Sequence, residues 1–231
     1  MQVPAPGGAT GLDSPLHGGP DAAGVPLHDL STNANACGPW PAAVQALAAL
    51  DARHYPDPAY TALVRQLADW HGVAPARIVL AASASEFIQR ISVAVRLQAG
   101  RAAGVWLPPH AYGDYARAAQ AVGLARCADP AAAALLWACE PSSPLGQAEP
   151  GLAARVAALR PGQTLVLDQA YEPPRLSGAP SLDAAALQRV CRLITPNKAP
   201  GLTGVRAASA IAPPPAHAAL LARPSALAPA R

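Results

Sequence analysis

This sequence is short of charge, of aromatic rings and above all of lysine. Only 13% of its 231 residues are charged and 4% are aromatic. The net charge of +3 is small and scattered, and no basic cluster carries interleaved aromatics, which argues against a nucleic-acid partner. Cys37, Cys127, Cys139 and Cys191 lie far apart, with no C-x-x-C pair and no histidine at ligand spacing. Neither a disulfide framework nor a metal site is expected from them, and Cys139 and Cys191, set in apolar runs, read as buried thiols. Apolar runs are short and broken by polar residues or Pro, which predicts no membrane span. Residues 1–11 have neither the basic region nor the apolar core of a signal peptide. Together these absences predict a soluble cytoplasmic protein in a reducing compartment. Lysine is the sharpest scarcity, because Lys198 is the only one and every other long cationic side chain is arginine.

What is present is apolar and regularly punctuated: 52% hydrophobic residues and 27 Pro. A chain of this length can bury one core, or one domain plus an arm. Residues 1–40, rich in Gly, Pro, Asp and Asn, read as an N-terminal arm with turns. Helical periodicity starts after Pro41, with Val44, Leu47, Ala48 and Leu50 on one face, and resumes over Pro58–His71. Strand-like runs then follow at Ile78–Ala82, Gly104–Leu107, Leu124–Cys127, Ala134–Cys139, Leu165–Asp168, Leu193–Thr195 and Ala207–Ile211. Helix-like segments fall between several of them: Ser85–Leu97, Tyr112–Val122, Gly151–Leu159 and Leu182–Arg189. Apolar strands alternating with helices predict an α/β fold, with a mostly parallel sheet of about seven strands covered by helices on both faces. The large domain is expected over 41–213. An Ala/Pro-rich tail follows over 214–231, with one short helix pattern at 216–222.

In such sheets ligands bind outside the carboxyl ends of the strands, and chemistry-bearing residues gather there. Lys198 follows the run Val190–Ile194 on a Gly-rich turn that leads to Arg206. A lysine on a tight turn can attack an aldehyde cofactor, and an arginine's planar fork can hold a phosphate; two ordinary surface cations are the plainer alternative. Asp168 ends an apolar strand, where a carboxylate needs a partner, either a protonated pyridine nitrogen or simply an arginine. Ser85 and Ala84 open a helix whose first N–H groups suit a phosphate, though a serine there can be no more than a cap. Tyr112 can stack on a flat ring or merely pack, and Tyr171 can donate to a phenolic oxygen.

Taken in order, these segments resemble the fold type I enzymes that use pyridoxal phosphate, within the aminotransferase class that includes histidinol-phosphate aminotransferase. The resemblance covers most of the chain, from His17 to about Ile211. It implies that Lys198 is the Schiff-base lysine and that Asp168 keeps the pyridine nitrogen protonated. Tyr171 would bond the ring oxygen and Tyr112 would cover the ring face. Ala84, Ser85, Thr195 and Arg206 would hold the phosphate. Arg53-His54-Tyr55-Pro56-Asp57-Pro58 looks like the family's Y-P-D-P segment, whose tyrosine reaches the neighbouring subunit's phosphate, so Tyr55 implies a homodimer. His17-Gly18-Gly19, followed by Asp29-Leu30-Ser31-Thr32-Asn33-Ala34-Asn35, looks like the opening of the threonine-phosphate decarboxylases of cobalamin synthesis. His17 and Asn33 are then the substrate-side candidates, with turn formation as the alternative role. An amino acid phosphate would be the substrate, and L-threonine O-3-phosphate the implied one.

Two departures stand out. The family usually reads N-P-N-N-P-x-G after its central strand; here the segment is Glu140-Pro141-Ser142-Ser143-Pro144-Leu145-Gly146, with Ser143 where the ring-oxygen Asn belongs. A serine offers one donor with shorter reach. The family also runs on into a C-terminal small domain that supplies an arginine for the substrate carboxylate, which is expected to be missing here. Three expectations follow: a phosphothreonine-type decarboxylase, a histidinol-phosphate-type aminotransferase, or a truncated remnant that only binds cofactor.

Overall fold

The computed structural model describes residues 18–20, 22–29, 31–143 and 145–214. The predicted helix pattern at 216–222, His17, Pro144 and the late tail lie outside them. Contacts divide the chain into two units, Met1–Asn33 and Ala34–Arg231.

Within the larger unit, helices α1 (Pro41–Ala48) and α2 (Thr61–His71) precede an alternation of strands and helices. The order is β1 (Ile78–Ala81), α3 (Ala84–Ala99), β2 (Gly104–Trp106), α4 (Gly113–Ala121), β3 (Ala125–Arg126), β4 (Leu135–Cys139), α5 (Leu152–Ala157), β5 (Thr164–Asp168), α6 (Ala184–Leu187), β6 (Cys191–Ile194) and β7 (Ala208–Ile211). They form one seven-stranded sheet in the order β1-β7-β6-β5-β4-β2-β3. The α/β expectation is borne out. Pairs β2–β3, β2–β4, β4–β5 and β5–β6 are parallel, while β7 runs antiparallel to both β1 and β6.

The central strands β4 and β5 are buried at every position, as the continuous runs Leu135–Cys139 and Thr164–Asp168 demand of a sheet covered on both faces. Side-chain alternation divides the core. On one face Leu135, Trp137, Val166 and Leu193 pack against Phe87, Ile88 and Ile91 of α3 and Tyr115 and Ala118 of α4. On the other, Leu136, Leu165 and Leu167 meet Leu152 and Val156 of α5. A smaller cluster joins Ala68 of α2 to Ile78 and Ile211.

Local chemistry sets the ends of the longest helix. Ser83 caps α3 by accepting from the Glu86 N–H at 3.1 Å, and Gly100 closes it with φ +78°. Two predicted helices come out shorter, because Gly151 in the left-handed region and the cap of Asp183 delay the starts of α5 and α6. β3 shrinks to two exposed residues at the sheet edge, where no strand among the described residues pairs with its outer side. Among the described residues no helix is long and apolar enough to cross a membrane.

Candidate functional site

The topology brings the ends of β4, β5 and β6 together. Cys139 is in register with Asp168, and Asp168 with Leu193, so the turn carrying Thr195 and Lys198 leaves the sheet beside the Asp168 carboxylate. Asp168 is 5% exposed. Its Oδ1 accepts the Ala170 N–H at 2.9 Å and its Oδ2 accepts the Tyr115 hydroxyl at 2.7 Å. Burial pushes its carboxyl above the ordinary range, against the opposing pull of the Tyr115 bond, the Ala170 N–H and the Lys198 charge. Lys198 Nζ stands 5.2 Å from the centre of the Tyr171 ring, a cation–π distance.

A clasp of backbone bonds fixes the lysine turn. The Asn35 N–H donates to the Lys198 carbonyl at 3.0 Å, the Asn35 side-chain amide to the Ala199 carbonyl at 2.9 Å, and the Trp40 N–H to the Pro200 carbonyl at 2.9 Å. Gly201 is required twice over: its φ is +68°, and an added Cβ would meet the Gly38 carbonyl oxygen at 2.7 Å.

The expected phosphate ligands divide. Thr195 is 4% exposed and its hydroxyl has no hydrogen-bond partner; the Asn197 amide oxygen is likewise buried and unpaired. Orphaned buried polar atoms cost stability unless a ligand completes them. Ala84 and Ser85 open α3, where no intrahelical carbonyl can reach their N–H groups. The Ser85 hydroxyl itself donates to Asp114 Oδ2 at 2.6 Å, because that buried carboxylate on α4 is a strong acceptor, so only its backbone is open to a phosphate. Arg206 is exposed on the loop before β7. Tyr112 is half-buried, meets Tyr115 edge-on at 5.7 Å and 82°, and its phenol is pushed up by burial and by the Asp114 charge. Ser143 is half-buried beside the Cys139 thiol. Tyr55 is 97% exposed, far from any enclosure of its own chain.

In the unit Met1–Asn33 the two segments of the arm meet. The Gly19 N–H donates to Ser31 Oγ at 2.8 Å, Ser31 Oγ donates to Asp29 at 2.6 Å, and a Cβ on Gly18 would lie 2.2 Å from the Ser31 carbonyl oxygen. The G-G and D-x-S elements therefore form one compact turn. Asn33 is exposed, and His17 lies outside the described residues.

Tyr115, Asp114 and Asn35 were given no role by sequence reasoning. The spacing of Tyr112 and Tyr115 on a helix was the available signal, since it sends the second ring inward. No group of three His, Cys, Asp or Glu able to hold a metal occurs among the described residues, whose cysteines are all free.

No family model matches the chain. An aromatic amino acid aminotransferase of Rhodococcus opacus is 31% identical over 202 residues, covering 79% of this chain and 56% of that protein. Among solved structures, the histidinol-phosphate aminotransferase of Sinorhizobium meliloti in complex with pyridoxal-5'-phosphate matches with TM-score 0.65 and 27% identity, over 84% of this chain and 57% of the other. The L-threonine-O-3-phosphate decarboxylase of Porphyromonas gingivalis matches with TM-score 0.61 and 21% identity, over 79% and 59%. The chain thus spans little more than half the length of these relatives.

Proposed function

The chain has the fold of the pyridoxal-phosphate-dependent aminotransferases, and from that premise we propose that it is the cofactor-binding part of a pyridoxal-phosphate enzyme that decarboxylates L-threonine O-3-phosphate to aminopropanol phosphate, for cobalamin synthesis in the cytoplasm. The observation that carries the cofactor reading is the buried Asp168 beside the chain's only lysine, with the Thr195 hydroxyl left unpaired nearby. These residues fit the cofactor: an acceptor for a protonated ring nitrogen, an amine to attach it, and an unused donor for its phosphate.

When bound, the cofactor supplies an electron-poor ring that takes up the electron pair of the broken bond. The chain's part is placement and proton handling. The Asp168 carboxylate would keep a proton on the ring nitrogen, Thr195 with the N–H groups of Ala84 and Ser85 and the Arg206 guanidinium would hold the phosphate, and Tyr112 would stack on the ring. Tyr171 donates to the ring oxygen with help from Ser143. Lys198 would provide the attaching amine and is the group placed to carry a proton to or from the substrate carbon. His17 and Asn33 are the proposed substrate-side residues. The joined G-G and D-x-S turn favours the phosphothreonine reading, because these are the two arm segments that resemble the decarboxylases.

A homodimer fits the α1 region. No residue of α1 is buried, Trp40 is 62% exposed, and Val44, Leu47 and Leu50 are exposed with it, an apolar face that suits a second copy. Tyr55 lies beyond that face and would reach the neighbour's phosphate. The 31% identity to an aromatic amino acid aminotransferase favours a second reading, transfer of an amino group with glutamate as donor.

The test starts with the absorption of the chain with pyridoxal phosphate beside Lys198→Ala. A visible band that requires Lys198 supports the cofactor reading; identical spectra of the two proteins end it. Carbon dioxide released from L-threonine O-3-phosphate supports the decarboxylase, and keto-acid formation with glutamate the alternative.

A further inference from the structure

The Asp168 carboxylate has a second partner that the cofactor reading does not use. Tyr115, on α4, is fully buried, and its hydroxyl donates to Asp168 Oδ2 at 2.7 Å. Its ring cannot swing away. It stacks on Trp137 at 4.1 Å with 9° between planes and meets Tyr112 edge-on. Trp137 is itself completely enclosed in the central strand β4. A buried phenol is thus clamped between two rings with its single donor aimed at the one carboxylate that ends β5.

We infer that Tyr115 is a positioning residue for the cofactor: its hydroxyl fixes the Asp168 carboxylate in its ionised form and in one orientation, toward the ring nitrogen. This rests on the reading that Asp168 serves that nitrogen. An ionised carboxylate has about four lone-pair positions and accepts only. Ala170 and Tyr115 take one position on each oxygen, which fixes the plane of the group and leaves room for a further donor. Without Tyr115, burial would favour the neutral acid, which has lost acceptor capacity and matches a pyridinium poorly.

The groups facing the carboxylate are few. Lys198 contributes positive charge from the turn after β6, Cys139 lies alongside on β4, and Tyr112 and Tyr115 approach from the start of α4. The Cys139 thiol points its own weak bond at the Pro141 carbonyl, at 3.3 Å. Burial and the Asp168 charge hold the Tyr115 phenol far above its ordinary value, so it stays a donor throughout the working pH range. A histidine in its place would titrate near neutrality; this phenol does not, and the support it gives is independent of pH.

The experiment uses Tyr115→Phe and Asp168→Asn, with pyridoxal phosphate labelled at the ring nitrogen. Nitrogen NMR reads the protonation of that atom, and a binding titration reads affinity, without any turnover. In wild type the resonance is that of a pyridinium. In Tyr115→Phe it moves toward neutral pyridine and the dissociation constant rises roughly tenfold to 150-fold, the range for one hydrogen bond to a charged group. Asp168→Asn gives the fully neutral resonance. If Asp168→Asn shifts the nitrogen while Tyr115→Phe leaves both resonance and affinity unchanged, the inference is overturned and the Asp168 reading stands. If Asp168→Asn shifts nothing, both fall together. Should Tyr115→Phe fail to fold, 3-fluorotyrosine at position 115 keeps ring and hydroxyl but makes a stronger donor. In the cofactor-free chain it should lower the titration midpoint of a carbon-labelled Asp168, and an unmoved midpoint overturns the inference.

Discussion

Two regions of this chain treat their rings in opposite ways. At the ends of β4 and β5, Trp137 and Tyr115 are sealed, stacked and linked to a carboxylate. Around α1 and α2, Trp40, Leu50, Tyr55 and Trp70 stand largely in solvent. The first region is complete within its own unit, because parallel strands buried on both faces leave their terminal side chains no other place to go. The second has helices without a finished partner surface. On the proposed reading, the half of the site that would handle the ring nitrogen is built by one chain, while the part that Tyr55 would serve would depend on a second copy.

The comparison breaks most easily at the tryptophans. Trp137→Ala should destabilise the chain by about 3–5 kcal/mol, the usual range for emptying a large core site. Trp40→Ala should stay within roughly 0.5 kcal/mol at a dilution where the chain is monomeric. Denaturant titration of both variants decides it, and equal losses would mean that the α1 face is already covered in solution.

Acid and base should sharpen the contrast. Burial holds the Asp168 carboxyl above its ordinary 3.8 in the cofactor-free chain. A folded-state value raised in this way contributes stability that is fully present below the unfolded value and is lost as pH rises through the folded value. Asparagine carries no such dependence. Asp168→Asn should therefore gain on wild type, without cofactor, as pH goes from about 4 to about 8. Glu149, also raised by burial, is common to both proteins and cancels. Parallel stability profiles would show that the Tyr115 and Ala170 bonds fully offset the burial.

The smallest effect belongs to Thr195. Its buried hydroxyl lacks a partner, so Thr195→Val should leave the cofactor-free chain as stable or better by up to about 1 kcal/mol. The same change should weaken pyridoxal phosphate binding several-fold, roughly the value of one donated hydrogen bond. A stability loss with unchanged affinity would show that the hydroxyl has an internal role.

Much of this was legible in the residues themselves. The runs at Ile78, Gly104, Ala134, Leu165 and Leu193 announce strands because short apolar runs between turn signals have little else to become. The reversal of β7 was not legible, since Ala208–Ile211 looks the same to a sequence reader in either direction; only its pairing with both β1 and β6 shows it. Lys198 and Asp168 declared themselves by position at strand ends. Tyr115 did not, because its bond to Asp168 spans 53 residues and depends on how α4 lies across β4 and β5. Ser85 reads as a phosphate ligand or a cap, and its bond to Asp114 appears only in the geometry between two helix starts.

The clasp on the lysine turn also bears on the order of assembly. Asn35 and Ala199 are 164 residues apart, so their bond closes nearly the whole length of the sheet-forming chain. Contacts of such separation form late, after the entropy of the intervening chain has been given up. During synthesis the residues around Asn35 emerge long before the turn they hold. The turn reaches its final shape only when the segments around Asn35 and Ala199 meet, so the loop that carries Lys198 is set late in folding.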